Sequence, residues 1–172
     1  LEDHTYFQYE ISNFARIGKD KKPHHSRHNL KYWTFAPYIG LGPSAHSFVE
    51  PQRFWNVPDV SSYITAIESG RPPVAEEEIL TEEQQMIEAI YLGLRMTAGI
   101  DLVGFRAKFG IDFIKTFKEV ITDLAERNYI TVKNNRCALT RKGRAYLDSI
   151  TVMFVTREFS DSEPGFNAST SE

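Results

Sequence analysis

The chain has 172 residues, 41% of them hydrophobic and 25% charged, the balance of a globular chain of one domain, or one domain plus a piece of another, and not of a collagen-like, low-complexity or wholly disordered one. Lys and Arg total 20 against 23 Asp and Glu, a formal charge of −3, so no global positive field draws in nucleic acid or anionic lipid. The longest apolar run, Ile150 to Val155 broken by Thr151, is far short of the ~20 residues that span a bilayer, and the single cysteine, Cys137, excludes a disulfide framework, a cysteine zinc cage and an iron–sulfur cluster held by this chain's thiolates alone. A cytoplasmic address with no membrane helix or secretory leader is expected, and the start at Leu1 suggests a fragment of a longer protein.

Tyr6 to Asn13 (YFQYEISN) reads as a short strand, since Tyr9 and Ile11 alternate with Glu10 and Ser12 before a polar turn. Ala15 to Lys31 is basic and aperiodic, the pattern of a surface loop. Tyr38 to Leu41 offers another strand before the Gly42-Pro43 break, and an irregular, aromatic-rich stretch follows to Val60. Val60 to Ser69 predicts a helix with Tyr63, Ile64 and Ile67 on one face and Gly70 as its stop. Arg71-Pro72-Pro73 and the acidic run Glu76 to Glu78 read as a linker, which sets a first unit of residues 1–75.

The second unit, 76–156, has a clearer pattern. Thr81 and Gln84 form a capping box for a helix with Ile87, Ile90, Tyr91 and Leu94 along one stripe and Gly99 as its terminator. Asp101 caps a short helix carrying Leu102, Phe105 and Phe109, and Gly110 closes it. Asp112 caps a longer one, to Arg127, with Phe113, Phe117, Val120, Ile121 and Leu124 inward. Tyr129 to Val132 and Cys137 to Leu139 flank a Lys133-Asn134-Asn135-Arg136 turn as a hairpin, and Thr140 opens a last helix through Ile150. Three helices with a helix-turn-helix junction and a two-stranded wing make this unit winged-helix-like. Residues 157–172 are polar and predict a disordered tail.

Several constellations invite chemistry. His24, His25 and His28 fall within HHSRH, and His46 follows, but a metal site needs three or four converging ligands, so solvated loop histidines and no metal site are expected. Gly40 to Ala45 fits a G-x-G-x-x-A outline, yet Pro43 removes an amide donor where a pyrophosphate needs one and no helix follows, so a glycine turn allowing close backbone approach is the better reading. Lys133, Arg136, Arg141, Lys142 and Arg144 make the wing basic, while the recognition helix offers Lys115 and Lys118 but also Glu119, Asp123 and Glu126, which would repel phosphate, and this disfavours nucleic acid as a partner. Tyr32, Trp33, Phe35, Tyr38, Phe54 and Trp55 suit either a flat-ligand surface or, more commonly, packing.

At YEISNFA (Tyr9 to Ala15), RHNLKYW (Arg27 to Trp33) and GLGPSAHSF (Gly40 to Phe48) the sequence resembles the oxygen-independent coproporphyrinogen III oxidase-like radical SAM family, in particular its heme-chaperone subgroup. The likeness continues through Arg53, Asn56, Tyr63, LGLR at Leu92 to Arg95, Phe109-Gly110 and Leu139-Thr140 with Gly143. It implies an α+β chain comprising the end of a partial (β/α) barrel followed by the mostly helical C-terminal domain. It also implies a [4Fe-4S] cluster, S-adenosylmethionine and heme for the full-length protein, with the N-terminal barrel, a tetrapyrrole and a heme-acceptor protein as partners. The cluster's three-cysteine motif is not in this chain, so no bound cofactor and no catalytic residue are expected here. Ser12 and Asn13 are placed by the resemblance at the barrel rim, where barrel enzymes carry function. His28, Asn29, Tyr32 and Trp33 match an H-N-x-x-Y-W motif and form a candidate heme surface, the alternative being a loop tied down by His28 and Asn29 and anchored by Tyr32 and Trp33. Ile17, Ser44 and Asn128 stand where the family commonly has proline, glycine and glycine. A winged-helix nucleic-acid-binding or protein-interaction module is the other class of function.

Overall fold

In a computed structural model the described residues are 5–158, so the expected tail lies almost wholly outside them. The fold is α+β, and every strand pairing among the described residues is antiparallel.

The expected first strand, Tyr6 to Asn13, is cut to three residues. β1 (Tyr6–Gln8) pairs with β2 (Phe14–Arg16), because the chain reverses between them: the Ser12 amide and the Asn13 side-chain amide both donate to Glu10 Oε1, at 2.8 and 2.6 Å. The predicted loop from Ala15 to Lys31 also needs correction, since its last part is helical. α1 (Arg27–Trp33) is started by Ser26, whose hydroxyl accepts from the Asn29 amide at 3.3 Å. An N-cap serine satisfies one of the first-turn amides, and this local signal outweighs the charged, aperiodic composition around it.

The Tyr38–Leu41 strand reduces to a single bridge from Tyr38 to Phe48, and the stretch read as irregular is a hairpin, β3 (His46–Val49) and β4 (Gln52–Asn56). α2 (Val60–Glu68) follows, capped by Asp59, whose carboxyl the Ser62 hydrogen bond holds below the usual range. The acidic run read as linker is β5 (Val74–Ile79), the third strand of the sheet β3-β4-β5. Two of its three glutamates are matched across the ladder: Gln52 donates to Glu77 at 2.8 Å and Arg53 to Glu78 at 3.0 Å. Cross-strand partners of this kind neutralise a charge run that reads as solvated linker when its neighbour is not seen.

Beyond β5 the expected elements appear in order. α3 (Glu82–Arg95) has both hydrogen bonds of the capping box. It ends at Arg95, one turn earlier than predicted, and Gly99 serves the turn beyond it with φ 73°. β6 (Ile100–Asp101), absent from the sequence reading, joins α4 (Leu102–Phe109), which Gly110 closes in the left-handed conformation. The long helix predicted from Asp112 is two, α5 (Phe113–Thr116) and α6 (Lys118–Glu126), broken at Phe117. β7 (Ile130–Lys133) and β8 (Arg136–Leu139) form the hairpin, with β6 completing a sheet of order β6-β8-β7. α7 (Arg141–Arg144) and α8 (Leu147–Glu158) replace the single last helix.

One core holds this second part together. Ile90, Leu94, Phe105, Phe113, Phe117, Leu124 and Phe154 are among its fully buried members. Phe113 touches the rings of Phe105, Phe117 and Phe154 at centroid separations of 5.0, 4.9 and 5.5 Å. Cys137 lies in the same core, and burial pushes its thiol up to about 12.

Candidate functional site at the α1 helix

The short α1 presents its residues to two surroundings. His28 is exposed, and its ring stands edge-on to Tyr32 at 5.1 Å, with Nε2 sharing a 3.3 Å hydrogen bond with the Tyr32 hydroxyl. Four residues apart, the two meet because positions i and i+4 share a helix face. Tyr32 in turn packs edge-on to Tyr38 at 4.6 Å. Burial holds the Tyr38 phenol above its ordinary pKa, so it stays neutral beside the Tyr32 ring. A cleft of about 130 Å³ opens here, with Tyr32, Tyr38, Phe48 and Arg53 on its walls. Burial works against the Arg53 charge, but the hydrogen bonds and charges of Glu88 and Glu78 together outweigh it and raise the Arg53 pKa.

Trp33 faces the other way. The Arg95 guanidinium lies 4.3 Å from the centre of its ring, close enough for a cation–π attraction. Arg95 also forms an ion pair with Glu10, Nε to Oε2 2.7 Å, and Nη2 donates to the Ser12 hydroxyl at 2.9 Å. Glu10 is wholly buried, and this cation with the amides of Ser12 and Asn13 supplies its polar partners. On its far side Trp33 borders a cavity of about 420 Å³ whose walls include Phe35, Met96, Phe105 and Lys108.

The six expected site residues therefore divide. Ser12, Asn13 and Trp33 converge on the Glu10–Arg95 pair. His28 and Tyr32 form a separate, outward edge, and Asn29 contributes its backbone amide to the helix cap. The two central charges were not among the expected residues, although Glu10 lies in YEISNFA and Arg95 in LGLR. Their meeting across the chain has no local signal. The histidines disperse: His24 approaches Asp20 at 3.3 Å, His25 stacks on Tyr9 at 4.5 Å and His46 on Trp55 at 5.4 Å.

The glycine-rich GLGPSAHSF segment is a turn. The Gly40 amide donates to Ser47 Oγ at 3.0 Å, and a Cβ at Gly40 would overlap the His46 carbonyl. Ser44 and Asn128, where glycine was expected from the resemblance, have φ of 57° and 58°. Both occupy the left-handed region in which glycine is unstrained.

Described by its parts, the molecule is an antiparallel α+β assembly in which a short motif-bearing helix is clamped to the start of a mostly helical domain. Residues 80–146 match the family model described as the HemN C-terminal domain. The heme chaperone HemW of Bacillus subtilis is 38% identical over 144 residues, covering 84% of this chain and 37% of that protein. HemW of Lactococcus lactis is 32% identical over 143 residues, 83% of this chain and 36% of that protein. Coproporphyrinogen III oxidase (HemN) from Escherichia coli, a radical SAM enzyme, shares the fold with a TM-score of 0.64 at 16% identity, over 91% of this chain and 38% of that one. The chain is thus similar to the HemN C-terminal domain over residues 80–146 and to HemW heme chaperones over most of its length. It spans just over a third of the length of the curated relatives it matches.

Proposed function

We propose that the chain is the C-terminal part of a radical SAM tetrapyrrole protein of the heme-chaperone type, which holds heme and delivers it to an acceptor protein in the cytoplasm. The observation that carries this reading is the HemW likeness over 84% of the chain, together with an exposed His28 set beside Tyr32. An imidazole nitrogen is a heme-iron ligand and aromatic faces pack on the porphyrin plane, so the residues of α1 fit heme. His28 Nε2 is engaged with the Tyr32 hydroxyl, a contact that iron would replace. Trp33, held by Arg95, fixes the helix against the domain behind it.

The residues present do not fit an iron–sulfur cluster. Cys137, the chain's one cysteine, is buried with its thiol pushed up to about 12, whereas cluster ligands are thiolates. The cluster and S-adenosylmethionine belong, on this reading, to the barrel of the longer protein, with residues 1–75 as the barrel's end. The pairing of β5 with β4 ties residues 74–79 to the sheet before them, which supports counting that strand with the first unit on this reading.

Titrating hemin into the full-length protein and recording the Soret band and heme transfer tests the reading. Wild type is expected to give a saturable, shifted band, and His28→Ala to lose the shift while keeping its thermal midpoint. An unchanged band in a stable His28→Ala protein removes His28 from heme ligation. A large fall in thermal stability instead assigns it to anchoring.

A further inference from the structure

A further hollow, with none of the α1 residues in its lining, lies between α4, the start of α5–α6 and the tip of the β7–β8 hairpin, with a volume of about 750 Å³. Part of its wall is apolar: Leu102, Val103 and Ile114 line it, and Val103 is 62% exposed. Its rim is cationic. Arg106, Lys115 and Lys118 surround it against one carboxylate, Asp112, on a chain whose net charge is −3.

The carboxylate is already used. Asp112 Oδ1 accepts from the Lys115 amide at 3.1 Å, and its Oδ2 faces Arg106 at 3.8 Å. Among the described residues the ion pairs take neither Lys115 nor Lys118. The hollow is also preformed. The Leu102 amide donates to the Asn135 carbonyl at 3.0 Å, Arg136 pairs with Asp101 at 3.4 Å, and Asn134 and Asn135 turn the hairpin with φ of 51° and 55°. These contacts fix the hairpin tip against the start of α4.

We propose that this groove docks an acidic segment of a partner protein, one in which aliphatic or aromatic side chains are flanked by carboxylates. Apolar side chains would enter between Val103 and Ile114 while the carboxylates meet Lys115 and Lys118. Charge complementarity selects such a segment. A nucleic-acid duplex fits less well, because it offers phosphates but nothing for the apolar floor. The groove is separate from the α1 edge, so this proposal and the heme reading stand or fall independently.

The test is fluorescence anisotropy of the whole chain with a labelled peptide carrying two leucines and a phenylalanine between glutamates. The same peptide with every glutamate replaced by glutamine, and a random-sequence DNA duplex, serve as competitors. Saturable binding is expected, weakened on the order of tenfold by K115E/K118E and further by salt, as charge steering at a rim requires. Ile114→Ser should weaken it independently of salt. Both lysines are exposed, so circular dichroism should show K115E/K118E folded. Absence of saturable binding, equal binding of the glutamine peptide, or displacement of the peptide by the duplex at lower concentration would each overturn the proposal. So would self-association of the chain that K115E/K118E abolishes, since the occupant would then be a second copy.

Discussion

The two halves of the molecule are built on different terms. Beyond residue 80 one cluster of buried side chains, all at Ile90 or later, joins α3, α4, α5, α6 and α8 and the sheet between them. Before it, α1 and α2 bury no residue fully, β5 is exposed along its length, and Tyr9, Ala15 and Phe48 are the buried apolar side chains. The later half carries its own hydrophobic driving force, while the earlier half is held by particular polar contacts to it. Glu10, Arg95, Ser12 and Trp33 supply the strongest of these, reinforced by backbone hydrogen bonds from Ile11 to Arg95 and from Thr97 to Tyr9. A domain with a closed core and a neighbour tied to it by a buried ion pair should respond differently to damage at each place.

The largest expected effect tests the core. Phe113→Ala removes the ring at which Phe105, Phe117 and Phe154 meet and should cost about 3–5 kcal/mol, read as a fall in the urea midpoint by far-UV circular dichroism. A loss below about 1 kcal/mol would mean that the aromatic cluster is not the keystone.

Arg95→Met comes next. It strands the buried Glu10 carboxylate, a change worth on the order of 3 kcal/mol when one partner of a buried pair is removed. Its effect should be regional. Both tryptophans, Trp33 and Trp55, lie in the first half, so fluorescence reports that half while circular dichroism follows the helices of the second. In wild type the two urea transitions should be closer together than in Arg95→Met, where fluorescence changes first. Coincident transitions in the variant would break the distinction between the halves.

A smaller effect concerns Cys137. Burial raises its thiol to about 12, above the ~8.5 of an exposed cysteine, so the unfolded chain loses this proton first as pH rises. Its contribution to stability is whole below pH ~8.5 and declines toward 12, by up to roughly 1.4 kcal/mol per pH unit. Comparing urea midpoints of wild type and Cys137→Ala across that window isolates it. A native thiol that reacts with a disulfide reagent as fast as the unfolded one would contradict the burial.

The smallest effect is a gain. Ser44→Gly relieves a left-handed residue and should stabilise by about 1 kcal/mol. Because Ser44 sits in the first half, the gain should appear in the fluorescence transition. A loss of stability would show that the serine side chain contributes more than the strain costs.

These differences also explain what was legible in the sequence. The second half was readable because its signals are local: Thr81 with Gln84, Asp101 and Asp112 each cap a helix within three residues, and Gly110 ends one. Where prediction overran, at Phe117 and again at Ala145-Tyr146, the helix breaks while the apolar pattern continues. The first half depends on partners far away in sequence. β5 looks like a linker until β4 is beside it, and Glu10 looks like the polar side of a strand until Arg95 meets it. The motif of α1 was recognised, but its division into an outward His28–Tyr32 edge and an inward Trp33 required the helix that Ser26 starts.

Native-state hydrogen exchange of the whole chain tests the central distinction most directly, because it reads opening free energies along the backbone. Amides of α3, α6, β8 and α8 should exchange together and slowest, while those of α1 and the β1–β2 pair exchange through a lower-energy opening that Arg95→Met lowers further without altering the slow group. A single exchange free energy shared by both halves, or equal acceleration of both by Arg95→Met, would contradict it.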